Sequence, residues 1–246
     1  MKKDISTHPR RRLPAKDRRR RQQGSPRLLI IFSIVGLALI FAGALIFLSS
    51  KNPSAPDGEI VLITPAPRPA ANQNAMGDPN APVKIDEYSD FQCPACVVFY
   101  EETEKPIVDQ YVATNKVYFV YHSMGAWIGP ESAAAAEAAY CAGDQGKFWE
   151  YHDMLFNNWT GENIGDFSAQ RLLAFAGALG LNTGDFGSCF NNHKYADQVT
   201  QDKAEGQKLG VQVTPTFFVN GKMIKGAQPF ATFQKEIELA LAAAKQ

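Results

Sequence analysis

The sequence predicts an α/β domain with a helical insertion, carried behind a single N-terminal transmembrane helix. Three observations predict it. An alternating run, Val83 to Tyr88, is followed by a helical pattern from Cys93 and then by the continuous apolar run Val117–Tyr121. That order is strand, helix, strand, which packs as a right-handed parallel unit. About seventy mostly helical residues come next. The period then shortens again at 216–219 and 222–225, and the intervening Asn220-Gly221 reads as the type I′ turn of a hairpin.

The N-terminal part has its own character. Residues 1–27 hold eleven of the 25 Lys and Arg but only two acids, Asp4 and Asp17, so the formal net charge of zero conceals a basic tail and an acidic remainder. Residues 28–48 are an uninterrupted uncharged run of about the ~20 residues needed to cross a bilayer. A secretory leader has a shorter apolar core of ~7–15 residues and a small-x-small cleavage site, and both features argue for an uncleaved anchor here. A basic tail is also a nucleic-acid signal, but beside an apolar span it is better read as a topology determinant. The positive-inside rule then places residues 1–27 in the cytoplasm and everything after the span outside it, as a single-pass protein of the cell membrane. Residues 49–75 are rich in Pro and Ala and read as an extended linker, with 59–64 as a short edge strand within it. Residues 76–246 suffice for one well-buried domain.

Within that domain Val83, Ile85 and Glu87 share one face of the first strand, which turns Glu87 inward. The helix from Cys93 is expected to run to about Val112, kinked by Pro106. The insert, about 129–192, contains an Ala-rich helix over 132–142 suited to close packing. A second helix, 147–156, has Phe148, Trp149, Leu155 and Phe156 as core. Ser168 is placed to cap a third, ended by Gly180. Helical segments at 186–190 and 195–209 follow. A last helix, 228–244, has Phe233, Ile237 and Leu241 on one face.

The chemistry centres on Cys93-Pro94-Ala95-Cys96. A thiol at a strand-to-helix junction meets unpaired backbone N–H groups and the positive end of the helix dipole, which favour the thiolate that performs disulfide exchange. Zinc would need a second close ligand pair, and the remaining cysteines, Cys141 and Cys189, stand 48 apart. Haem attachment would need His directly after the second cysteine, where Val97 stands. A dithiol–disulfide redox centre remains, and it needs no bound cofactor. Cys141 and Cys189 admit three readings: buried thiols, a second relay, or a structural disulfide, which an exported domain favours. His122, His152 and His193 show no ligand spacing and read as packing or surface residues.

Four stretches carry a family resemblance: GDPNAPV at 77–83, EYSDFQCPAC at 87–96, QGKFWEYH at 145–152 and GVQVTPTFFVNG at 210–221. With them the chain resembles the thioredoxin fold with a helical insertion, and within it the DsbA-like thiol–disulfide oxidoreductases of the membrane-anchored bacterial type. The resemblance implies Cys93 as the attacking thiol, Cys96 as the buried resolving thiol, and Thr214-Pro215 as a cis-proline loop facing the sulfurs. It matches Glu87 to a buried acid that accepts the proton of Cys96. It implies formation of disulfides in reduced, unfolded exported proteins. Reoxidation would fall to a quinone-linked membrane partner of the DsbB or vitamin-K-epoxide-reductase-like kind. The best-known oxidase of the family has His where this chain has Ala95. The competing readings are a disulfide reductase or isomerase, and a non-catalytic thioredoxin-like chaperone or binding module.

Overall fold

In the computed structural model the described residues are 58–245. The expected cytoplasmic tail, the span at 28–48 and the first part of the linker lie outside them. Among the described residues no helix is long and apolar enough to cross a membrane.

Strand alternation and β-branched residues build a five-stranded sheet. Strand β1 is Ala75–Met76, β2 Val83–Ser89, β3 Val117–Ser123, β4 Thr216–Val219 and β5 Lys222–Lys225, in the order β1-β3-β2-β4-β5. Strands β2 and β3 run parallel, with Glu87 opposite Tyr121 and Ser89 opposite Ser123. Strand β4 is antiparallel to β2, with Glu87 opposite Phe217. Period-two alternation therefore puts Val83, Ile85, Glu87 and Ser89 on one face with Phe119, Tyr121, Phe217 and Val219. The hairpin turn is of the expected type: Asn220 and Gly221 both have left-handed φ, 44° and 84°. The Asn220 side chain accepts from Lys84 N at 2.7 Å and donates to Pro82 O, fastening the turn to β2.

Helix α1 opens as Pro94–Phe99 and continues without a break through a π stretch, Tyr100–Glu104, a single α turn, Lys105–Ile107, and a second π stretch, Val108–Val112. Pro106 removes one N–H donor. The ladder widens on either side of it instead of ending there. The insert holds α2 (Pro130–Gly143), α3 (Phe148–Asn157), α4 (Ala169–Ala178) and α5 (Thr183–Asn191). Then come α6 (Ala196–Lys208) and, after the hairpin, α7 (Phe230–Ala243). Phe99 of α1, Phe217 of β4 and Phe233 of α7 form one aromatic cluster with centroids 4.4–5.5 Å apart. Phe148 and Trp149 of α3 cover Tyr121 and Phe119 of the same sheet face. On the other face α6 lies close because it carries Gly206. A Cβ there would come within 2.8 Å of Met124 and Tyr88. His122, beside Asp86 at 2.8 Å, is also on this face. Burial disfavours its charged form, but Asp202 and Asp86 together hold its pKa up at about 9.

Two local expectations are corrected. Ser168 stands at the N-cap of α4, but its hydroxyl makes no capping bond. Asn182 does cap with its side chain, accepting from Gly184 N and Asp185 N at the start of α5. Residues 59–64 form no strand. The Asn158 side-chain amide takes the place of a neighbouring strand there, accepting from Val61 N at 2.8 Å and donating to Val61 O at 2.9 Å. Of the 49–75 linker, the described residues 58–75 lie along the domain. Arg171 holds Gly58 O at 2.7 Å.

Cys141 of α2 and Cys189 of α5 are joined by a disulfide, Cα–Cα 5.9 Å. It closes a long loop, so replacing both cysteines by Ser is expected to lower stability by up to ~4 kcal/mol in the chain-entropy model. Urea unfolding measures this.

Candidate active site

Strand β2 ends at Ser89, and the turn Asp90–Gln92 delivers Cys93 to the N-cap of α1 with extended backbone, φ −80° and ψ 121°. Pro94 occupies the first helical position, where a missing N–H costs nothing. Cys96 N and Val97 N donate to Cys93 O at 2.9 and 3.2 Å. Across the sheet the chain enters β4 through Thr214–Pro215, a cis peptide. The Thr214 carbonyl oxygen is 3.4 Å from Cys93 Sγ. Residues 121 apart in the chain thus meet at one sulfur. Only a thiol can donate to that carbonyl, whereas the Thr214 hydroxyl favours the thiolate.

The two sulfurs differ sharply. Cys93 is 7% exposed and its pKa is drawn down to about 6. The Cys96 thiol contributes most, by donating to the Cys93 sulfur. The Thr214 hydroxyl and the Cys96 and Ala95 amides add to it, against the penalty of burial. Cys96 is fully buried and its pKa is pushed well up, first by burial and then because its proton is held by Cys93. The pair keeps one proton, on the inner sulfur. Alkylation of reduced protein by iodoacetamide is therefore expected to be confined to Cys93 and to show a midpoint near pH 6. The sign follows for stability too. A depressed thiol stabilises the reduced fold above the ordinary thiol range near pH 9, and that contribution is lost as the pH falls towards 6.

Glu87 is buried in the centre of the sheet, its carboxyl pushed well above the usual range by burial and then by the charge of Glu104. No direct hydrogen bond joins it to Cys96 among the described residues. Ser89, two residues on and on the same face, is the nearest link between them. Asp90 precedes the motif by three residues and is also raised, to about 6, chiefly by burial; it accepts from Gln92 N at 2.8 Å and Ile128 N at 3.4 Å.

Beneath Glu87 lies a charged cluster that no local pattern announces. Arg68 binds Glu104 of α1 and Asp153 of α3 and lies 5.0 Å from the centre of the Trp149 ring. All three charged side chains are buried. Glu104, Asp153 and His152 have ligand-type atoms grouped closely enough for a metal ion, but Arg68 already supplies the matching positive charge. Arg68 is 36 residues from Glu104 and 85 from Asp153, so only the fold brings them together.

A thioredoxin family profile matches residues 70–239. Disulfide bond formation protein D of Bacillus subtilis is 28% identical over 69% of this chain and 77% of its own length. The oxidised BdbD structure from Bacillus subtilis superposes with a TM-score of 0.64 at 25% identity, covering 75% of this chain and all of that one. A Na(+)/H(+) antiporter, NhaA 1 of Salinispora arenicola, is 32% identical over 69% of this chain; this chain spans only 25% of that protein's length. The match therefore concerns one part of the antiporter. The chain belongs to the thioredoxin family, with the helical insertion and overall fold of the DsbA-like thiol–disulfide oxidoreductases.

Proposed function

We propose that this chain is a membrane-tethered thiol–disulfide oxidoreductase that donates disulfides to exported proteins through Cys93 and Cys96. The asymmetry of the two sulfurs carries the reading: an acidic, slightly exposed Cys93 over a fully buried, weakly acidic Cys96. A client thiolate attacks Cys93 Sγ of the oxidised pair, and Cys96 leaves with the bonding electrons and gains a proton. The client's second thiolate then attacks the client sulfur of the mixed disulfide. Cys93 departs as a thiolate, a good leaving group because it is stabilised. Thr214, beside Cys93, offers backbone against which an extended client can lie as an added strand. Glu87 holds the proton that Cys96 gains or gives up. The reduced pair is reoxidised by a membrane quinone-linked partner.

The kinship with disulfide bond formation protein D supports the assignment. The charge asymmetry about 28–48 supports a cytoplasmic tail (1–27), an anchor (28–48), a linker (49–75) and an external domain (76–246). Equilibration of the full-length protein with glutathione buffers tests the direction of transfer. Stabilising the reduced form raises the potential, so a value well above thioredoxin's ~−270 mV is expected. Ala95 brings no charge to Cys93, which favours a weaker oxidant than relatives with His at that position. A potential at thioredoxin's value would turn the assignment to a reductase.

A further inference from the structure

The sheet beneath Cys96 contains buried polar atoms that the exchange chemistry has not used. Glu87 Oε2, Ser89 Oγ and Tyr121 OH are each shielded from solvent and each lack a hydrogen-bond partner. Buried polar atoms are nearly always paired. These three share one sheet face: Glu87 and Ser89 are i and i+2 on β2, and Tyr121 is opposite Glu87 on β3. Ser89 is fully buried, and its backbone is held by Met124 N donating to Ser89 O at 2.7 Å. Its hydroxyl proton is not committed to any hydrogen bond. A hydroxyl donates one hydrogen bond while accepting others, which is what a group between a thiol and a carboxyl must do.

We propose that the Ser89 hydroxyl is the proton relay between Cys96 and Glu87. The inference rests on the assignment of Glu87 as the group that holds the Cys96 proton. When a client thiolate breaks the Cys93–Cys96 bond, Cys96 leaves as a thiolate. Ser89 passes its proton to that sulfur and takes one from the Glu87 carboxyl, leaving Cys96 a thiol and Glu87 a carboxylate. In the reverse step Cys96 loses its proton by the same route, attacks Cys93 Sγ and expels the client thiolate. Ser89 ends each cycle unchanged, and no electrons pass through it.

The interactions of the site favour this path. The Ser89 hydroxyl is close enough to Cys96 and to Glu87 to favour the charged form of both. The other charged or titratable groups facing the site are Tyr121 of β3, Glu104 of α1, Arg68 of the N-terminal segment, and Asp90 in the turn, while His122, on the opposite face of β3, acts on Glu87 only through its charge. Asp90 accepts from two backbone amides, and Glu104 and Arg68 are committed to their ion pair. Tyr121 stacks on Phe91 with centroids 5.1 Å apart, and its own proton is held more tightly than an ordinary phenol's, mainly through burial. It serves poorly as a donor in a fast exchange.

The probe is full-length detergent-solubilised protein carrying a mixed disulfide between Cys93 and glutathione. The release of glutathione by Cys96 is followed from pH 5 to 9. Ser89→Ala is expected to slow release about tenfold at neutral pH and to make it rise more steeply with pH. Ser89→Thr should restore the parental profile. Glu87→Gln should slow release similarly, and the double variant should be no slower than either single one. Parental rate and profile in Ser89→Ala, with Glu87→Gln slow, would overturn the relay while leaving Glu87 its assignment. No slowing in either variant overturns both. Effects that multiply in the double variant overturn the relay, because they show two independent routes. Iodoacetamide reactivity of Cys93 reports whether the helix terminus is intact. If Ser89→Ala is misfolded, Ser89→Gly removes the same hydroxyl and is judged by the same outcomes.

Discussion

Cys93→Ser is expected to lower oxidation of a reduced two-cysteine peptide by about three orders of magnitude or more, the scale on which nucleophile removal acts in other enzymes. Serine offers no thiolate at neutral pH and cannot form the mixed disulfide. Cys96 cannot substitute, since it is fully buried and its proton is tightly held. Cys96→Ser should behave differently. Cys93 can still be captured by a client, but the inner thiol that would expel it is gone, so disulfide-linked adducts should accumulate on non-reducing gels. Peptide oxidation at the parental rate by the Cys93→Ser protein would show that the order of the two sulfurs is reversed. Full cellular activity of a protein lacking both cysteines would turn the assignment to a non-catalytic binding module.

Arg68→Ala should lower stability by about 3–5 kcal/mol, the usual cost of stranding a buried charge. Arg68 bonds Glu104 and Asp153 at once, and its removal leaves two buried carboxylates without a partner charge, close to the Glu87 carboxyl. The stacking of the guanidinium against Trp149 goes with it. Urea unfolding of the detergent-solubilised protein measures the loss. Arg68→Lys should recover part of the stability, since it restores the charge but not a fork able to hold two carboxylates. A loss below ~1 kcal/mol would place the pair among weak surface bridges.

Much of this protein can be read from residues close together in the chain. The period-two alternation of Val83, Ile85 and Glu87 is a local pattern, and it turns Glu87 to the covered face of the sheet, where it is buried. Asn220-Gly221 encodes a turn because those two residues tolerate left-handed φ. Cys93 and Cys96 are legible because a short spacing at the start of a helix is enough to place both sulfurs. Ser89 was within reach of the same logic, two residues beyond Glu87 on the same face. The span at 28–48 rests on composition alone.

The tertiary structure decided what depends on partners distant in the chain. The linker composition around Arg68 gives no sign of a buried ion pair, because its carboxylates arrive on α1 and α3. Asn158 replaced the edge strand expected at 59–64 with two side-chain hydrogen bonds, which no propensity in that segment encodes. Ser168 left its helix uncapped although its position invited a cap. The acidity of Cys93 was decided in the same way. The helix terminus is local, but Thr214 reaches the sulfur only when β4 pairs with β2. Sequence by itself determined the strand faces, the turn and the placing of two thiols at a helix start, because each depends on residues a few positions apart. Burial, ion pairing and the split in acidity between the two sulfurs depend on the local dielectric and on distances set by packing, and these exist only in the folded chain.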